Sequence, residues 1–271
     1  PDQEASEARE IADEIMIDAI EEVRNSLAKS RPQPGKRRHW ITAGIVAATL
    51  ALAVFWLPGA LMRQTLAVVP NAKRVEIGAI ILAHVQTKTG AVCRDTTAQA
   101  AAGTLATRVF GAGTPLNIVV VPKLDQGALA MPGGLIILDA GLLQAADDPV
   151  AVAGFVLASH VALGNHDSLE PVLRQAGLAT TFGLLTTGDI PRDVLQRHTE
   201  AVLDQPAPQA DPADLRRAFA AANLPQRPYQ VLADARSGTM PDLGRDPLDG
   251  QPSPPVMTDS AWISLQNICN R

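Results

Sequence analysis

The chain has 271 residues, a formal net charge of −5 and 46% hydrophobic residues, which is typical of a folded protein rather than a disordered or fibrous one. Its one basic run, residues 36–38, is too short to track a phosphate backbone, so we expect no nucleic-acid partner. Two cysteines, Cys93 and Cys269, are too few for a fold built on disulfides and lack the spacing of a zinc knuckle or a thioredoxin-type site.

The first 35 residues form an acidic unit of their own, with nine acidic and four basic side chains. Apolar residues recur there at the spacing of an amphipathic helix: Ile11, Ile15, Ile20, Val23 and Leu27. This apolar stripe predicts a partner, either another protein's cytoplasmic face or a second copy of the helix. The alternative is a marginal, solvated helix before the Pro/Gly linker at 31–35.

Residues 40–62 contain no charged side chain and would reach about 35 Å as a helix, enough to cross a hydrocarbon core. They predict a single transmembrane helix. Basic residues directly precede it, at 36–38, and the positive-inside rule then places the N-terminus in the cytoplasm. We therefore expect a protein of a bacterial inner membrane whose main domain lies in the periplasm.

That compartment is oxidising, so Cys93 and Cys269 are candidates for one disulfide bond. The bond would tie the C-terminal segment to the start of the domain. Two buried free thiols are the alternative that the sequence leaves open.

Beyond the span, hydrophobic periodicity predicts an α+β domain. Helices are expected at 72–90 and 96–109, followed by a continuous β-branched strand at 116–122. Two shorter strands, 128–131 and 135–138, are joined by a Pro-Gly-Gly turn.

The next segment, Asp-Asp-Pro at 147–149, is a helix start, and the helix predicted at 150–163 is apolar on nearly every side and therefore buried. Further predicted elements are helices at 168–176, 192–203 and 212–221, an extended segment at 234–253, and residues 262–265 docking back on the domain. The predicted organisation is an acidic tail at 1–35, the basic flank and span at 36–63, the domain at 64–233 and a Pro/Gly-rich extension at 234–271.

Residues 128–143 read Ala-Leu-Ala-Met-Pro-Gly-Gly-Leu-Ile-Ile-Leu-Asp-Ala-Gly-Leu-Leu, and acidic residues and the buried helix follow. This order resembles the membrane-associated metallopeptidases of gluzincin type that include the HtpX heat-shock protease and the CAAX prenyl protease. The resemblance covers roughly residues 75–225 and implies a zincin-like, mostly helical domain. In that family an Ala-Leu-Pro-Gly-Gly hairpin lies along the active-site cleft, and the next helix carries His-Glu-x-x-His.

The motif of that helix is lost here. The resemblance places Ser159 where the family has its first His, His160 where it has the catalytic Glu, and Leu163 where it has the second His. The family needs both imidazoles on one Zn²⁺ and the carboxylate to activate a metal-bound water. We therefore expect no peptidase activity from these positions.

Other metal ligands are conceivable: His160, His166 and Glu200. The two histidines would point about 240° apart on a helix, so they cannot form the usual one-turn pair. Residues 200–204 resemble the family's Glu-x-x-x-Asp helix, in which the Glu completes the zinc shell. Since a His on an apolar helix is more often a hydrogen-bonded core residue, we expect no cofactor, and zinc only in an active peptidase.

Three functions follow. The first is a catalytically inactive, metallopeptidase-like subunit that binds other membrane-complex subunits or a client polypeptide. Its strand Leu135, Ile136, Ile137 and Leu138 would serve as a sheet edge for an extended segment. The second is an active zinc-dependent membrane metalloendopeptidase in protein quality control. The third is an unrelated periplasmic ligand-binding module with an apolar pocket.

Overall fold

The computed structural model describes residues 36–164, 167–251 and 253–270. The helices are α1 (Lys36–Phe55), α2 (Leu57–Val68), α3 (Asn71–Thr89), α4 (Thr96–Phe110), α5 (Ala140–Ala145), α6 (Pro149–Val161), α7 (Glu170–Thr187), α8 (Arg192–Leu203), α9 (Pro212–Ala221), α10 (Arg227–Ser237) and α11 (Asp259–Gln266). The strands are β1 (Asn117–Val121), β2 (Ala128–Met131) and β3 (Leu135–Asp139). The fold is thus mostly helical with one small sheet, which confirms the predicted α+β class.

The described residues divide into two units, with the boundary between Pro58 and Gly59. The helical stretch His39–Val68 is long and apolar enough to cross a membrane, and it is the one such stretch within the described residues. In the first unit, α1 leaves large apolar side chains exposed, among them Trp40, Leu50 and Phe55. Such exposure suits a hydrocarbon environment better than water.

The sheet of the second unit has the order β1-β3-β2. Strand β3 is therefore central: it pairs with β1 in parallel and with β2 in antiparallel orientation. Met131 lies opposite Leu135 in the second pair, so the Pro-Gly-Gly turn between them closes a hairpin, as predicted.

Two hydrophobic cores lie against the two faces of this sheet. Side chains alternate along β3, so that Ile136 and Leu138 belong to one core and Leu135 and Ile137 to the other. The first core contains residues of α4, α6, α9, α10 and α11, and we call it the α6 core. The second contains residues of α3, α7 and α8 together with the end of α2, and we call it the α7 core.

The Pro-Gly-Gly turn packs backbone against backbone on α3. A methyl group at Gly78 would lie 2.2 Å from the Pro132 carbonyl oxygen, and one at Gly133 would lie 2.6 Å from the Val75 Cα. Both separations are below any van der Waals contact, so only glycine fits at these two positions. Close packing against α3 therefore accounts for glycine at position 133 of the hairpin, without any role in substrate binding.

Several elements differ from the sequence prediction. α6 ends at Val161, two residues earlier than expected, and α7 continues to Thr187 past a break at Gly177, where φ is 81° and ψ is 179°. Helix α10 occupies the start of the segment that we expected to be extended. Trp262 and Leu265 are buried, so the C-terminal segment docks on the domain as predicted.

Candidate functional site

The end of α6 holds the residues that replace the metallopeptidase motif. The Asp148 carboxylate accepts a hydrogen bond from the Val150 N–H at 2.7 Å, which starts the helix as the sequence predicts. At the other end the Ser159 hydroxyl donates to the Val156 carbonyl at 2.9 Å. Leu163 lies beyond the last helical residue. These positions offer no pair of ligands one helical turn apart.

His160 is exposed in the last turn of α6. Our expectation of a hydrogen-bonded core histidine is therefore wrong. His160 follows the buried Val156 by four positions, but it lies in the last turn of α6, where its side chain is exposed. The imidazole packs edge-on against Phe110, with 4.9 Å between ring centres. Desolvation lowers the pKa of His160 below its usual value, which favours the neutral ring.

Glu200 lies half-buried on α8, where its carboxylate accepts a hydrogen bond from the Gln196 amide at 3.1 Å. Among the residues that the structure describes, no three His, Cys, Asp or Glu side chains come together as a metal ion would require. His166 lies outside the described residues. The described ligands therefore do not fit the zinc centre that the resemblance implies, and we derive no reaction step from a metal.

An open groove of about 370 Å³ lies beside Glu200, lined by Lys88, Lys123 and Asp204 among others. Gln126 also lines it and donates to the carbonyl oxygens of Val202, Leu203 and Gln205, at 3.2, 2.7 and 2.8 Å. The Gln126 amide thus satisfies carbonyl groups that the end of α8 leaves without helical partners, so these donors are not free to bind a ligand. The groove has mixed charge, and the Gln126 amide in it has a structural role.

The strand Leu135, Ile136, Ile137 and Leu138 is not a sheet edge. It is the centre of the sheet, it pairs on both sides, and all of its residues are buried. The expectation that it binds an extended partner segment is wrong, because its hydrogen-bonding groups already serve β1 and β2. The strand order could not be read from the local pattern.

Asp139 is a buried carboxylate that the sequence analysis did not single out. One oxygen accepts from the Leu124 N–H at 3.0 Å, and the other accepts from the Leu142 N–H at 3.0 Å. The second oxygen also pairs with the Arg236 guanidinium at 3.1 Å. Asp139 therefore joins the sheet, the start of α5 and α10. Its position between a strand and a helix is the sequence signal of an N-cap.

His198 is a second buried polar residue that the sequence did not reveal. Its Nδ1–H donates to the Gln175 oxygen at 2.6 Å, which connects α8 to α7. Burial lowers the pKa of His198, so the neutral form predominates in the folded protein. Its hydrogen-bond partner is a neutral amide, which is consistent with a structural role.

Cys93 and Cys269 form a disulfide bond, with their Cα atoms 5.0 Å apart. Of the two alternatives that the sequence left open, the structure has the bonded one. The Cys93 N–H also donates to the Val120 carbonyl at 2.9 Å, which fixes the loop along β1. The bond connects this loop to the C-terminal segment after α11.

No family model matches the chain, and no curated protein sequence matches it significantly. The resemblance to HtpX-type peptidases is thus an expectation that rests on the hairpin and the helix that follows it. The amphipathic pattern of residues 11–27 lies outside the described residues and stays a prediction.

Proposed function

We propose that this chain is a catalytically inactive, metallopeptidase-like membrane protein that acts as an accessory or assembly subunit of a membrane-protein complex. The end of α6 carries the proposal. The helix and hairpin keep the order of the peptidase motif, whereas Ser159 bonds to its own helix, His160 faces outward and Leu163 follows the helix end.

The proposed topology has the N-terminus in the cytoplasm and the folded body in the periplasm of a bacterial inner membrane. The stretch His39–Val68 can span a membrane, and the basic residues 36–38 precede it. The bond between Cys93 and Cys269 supports an oxidising compartment for the body.

With β3 excluded as a binding edge, the segment proposed to meet a cytoplasmic partner is the acidic N-terminal one. Its apolar stripe, formed by Ile11, Ile15, Ile20, Val23 and Leu27, would pack on a subunit of the same complex. Removing residues 1–35 should release the chain from the complex while leaving its body folded.

The decisive experiment is elemental analysis of the full chain purified in detergent. The wild type is measured beside His160→Ala and Glu200→Ala, with His84→Ala as a matched histidine control away from the α6 terminus. We expect no zinc above background in any of them. About one zinc per chain, lost in the first two variants and kept in the control, would overturn the proposal in favour of a zinc metalloendopeptidase.

A further inference from the structure

The second part of α7, residues 178–187, exposes apolar side chains. Leu178 is 46% exposed and Phe182 is 59% exposed, and their spacing of four positions places them on one side of the helix. Residues 175–188 contain no charged side chain. A helix that faces water normally carries charged residues on its exposed side, so this surface fits an apolar neighbour.

The opposite side of α7 packs into the α7 core, which also receives the end of the candidate span. Leu184 of α7 belongs to this core, and Met62 and Leu66 of α2 pack against it. Residues 59–68 are part of the apolar stretch and also of the folded body. Helix α7 and the end of α2 therefore pack in the same hydrophobic core.

Two ion pairs hold both ends of α7 to the residues that follow the span. Lys73 pairs with Asp189, directly after α7, at 2.6 Å. Arg74 pairs with Asp167, shortly before α7, and its guanidinium also donates to the Leu66 carbonyl at 2.5 Å. These contacts join both ends of α7 to residues 73 and 74, shortly after the end of α2.

We propose that residues 178–187 lie on the phospholipid bilayer, with Leu178 and Phe182 in contact with lipid. The inference rests on the proposed membrane anchoring and adds a second contact between the body and the lipid. We infer lipid as the neighbour because the helix that carries this uncharged surface is bound to residues 66–74, where the chain leaves the proposed membrane span.

The experiment uses single nitroxide labels on the full chain in vesicles of phosphatidylcholine and phosphatidylglycerol. The labels are placed at Phe182→Cys and Leu178→Cys. Val231→Cys is the matched control, because Val231 is 52% exposed and lies on α10, a helix of the other core. A label at Leu50→Cys reports on the span itself. The native cysteines are bonded to each other and do not react.

Collision with oxygen, which concentrates in lipid, is compared with collision with a water-soluble nickel complex. We expect the oxygen-to-nickel ratio at positions 178 and 182 to exceed that at 231 several-fold and to approach that at 50. Equal ratios at 182 and 231 would overturn the proposal. Low accessibility to both reagents at 182 would overturn it as well, since a protein partner would then cover the surface. A water-like ratio at Leu50 would instead refute the membrane span on which the proposal rests.

Discussion

A single carboxylate, Asp139, connects three parts of the body. Its side chain is only 8% exposed, and it accepts two backbone hydrogen bonds besides the pair with Arg236. Loss of its charge leaves the guanidinium without a counter-ion in a largely desolvated place. The cost should be moderate, because Arg236 keeps 26% of its side-chain surface in contact with water.

We expect Asp139→Asn to lower the free energy of unfolding by about 2 kcal/mol. The measurement is a urea titration of the full chain in detergent. Asp125→Asn is the matched control, because the Asp125 side chain is 83% exposed and should change stability by less than about 0.5 kcal/mol. Equal effects of the two substitutions would contradict a structural role for the Asp139 pair.

His198 should make stability depend on pH. Its ordinary pKa is 6.5, and burial lowers that value in the folded state, so the unfolded chain takes up the proton first as pH falls. The stability contribution is complete above pH 6.5 and decreases as the pH falls through the lowered pKa. The urea midpoint of the wild type should therefore be lower at about pH 5 than at about pH 7.5.

His198→Gln removes one of two histidines whose pKa is lowered by burial, the other being His160, and should weaken this dependence, even if the variant is less stable at both pH values. His84→Gln is the control, because the ring of the half-buried His84 hydrogen-bonds within its own helix, to the Ile80 carbonyl. A pH dependence of the same size in wild type and His198→Gln would contradict a contribution from His198.

At the scale of elements, the contact between α3 and the Pro-Gly-Gly turn should be intolerant of any side chain. Gly78→Ala places a methyl group 2.2 Å from the Pro132 carbonyl, and neither backbone can yield without disturbing the α7 core. We expect a loss of at least about 2 kcal/mol in the free energy of unfolding.

Gly103→Ala is the matched control for this test, since Gly103 also lies in a helix, α4, with nothing within 4 Å of the new methyl group. It should be neutral or stabilising by up to about 1 kcal/mol. Thermal unfolding of both variants, followed by circular dichroism, makes the comparison. A Gly78→Ala variant as stable as Gly103→Ala would refute the tight packing.

The elements that the sequence predicts well are those with local signals. α8 and α9 begin and end where predicted, and the hairpin of β2 and β3 follows from its turn. α10 escaped prediction because few apolar residues mark it. Its place depends on Gly154 of α6, where a methyl group would lie 2.5 Å from the Tyr229 Cβ. A contact of this kind between distant segments leaves no local pattern.

The candidate site was predicted less well, because it depends on where α6 ends and on strand order. The periodicity correctly placed His160 on a buried helix, but the helix ends one residue later and this side chain is exposed in the last turn. The central position of β3 depends on its direct pairing with β1, from which it is separated in sequence by β2. Neither feature follows from residue spacing alone.

At the scale of the whole molecule, the disulfide bond closes a loop of 176 residues in sequence separation. In the chain-entropy account such a crosslink restricts the unfolded state and stabilises the fold by up to about 5 kcal/mol. Reduction should therefore lower the melting temperature of the wild type. A Cys93→Ser/Cys269→Ser double variant should melt at the reduced value whether or not reductant is present. No response of the wild type to reductant would contradict the bond's role.

The same bond has a consequence for biosynthesis. In the proposed topology Cys93 leaves the membrane early, and its partner emerges 176 residues later. α11, which packs on α4, arrives with it. The α6 core thus cannot close before α11 has been exported, and until then the Cys93 thiol stays reduced in an oxidising compartment. Folding of this body is therefore a late event, exposed to oxidants and chaperones on the far side of the membrane.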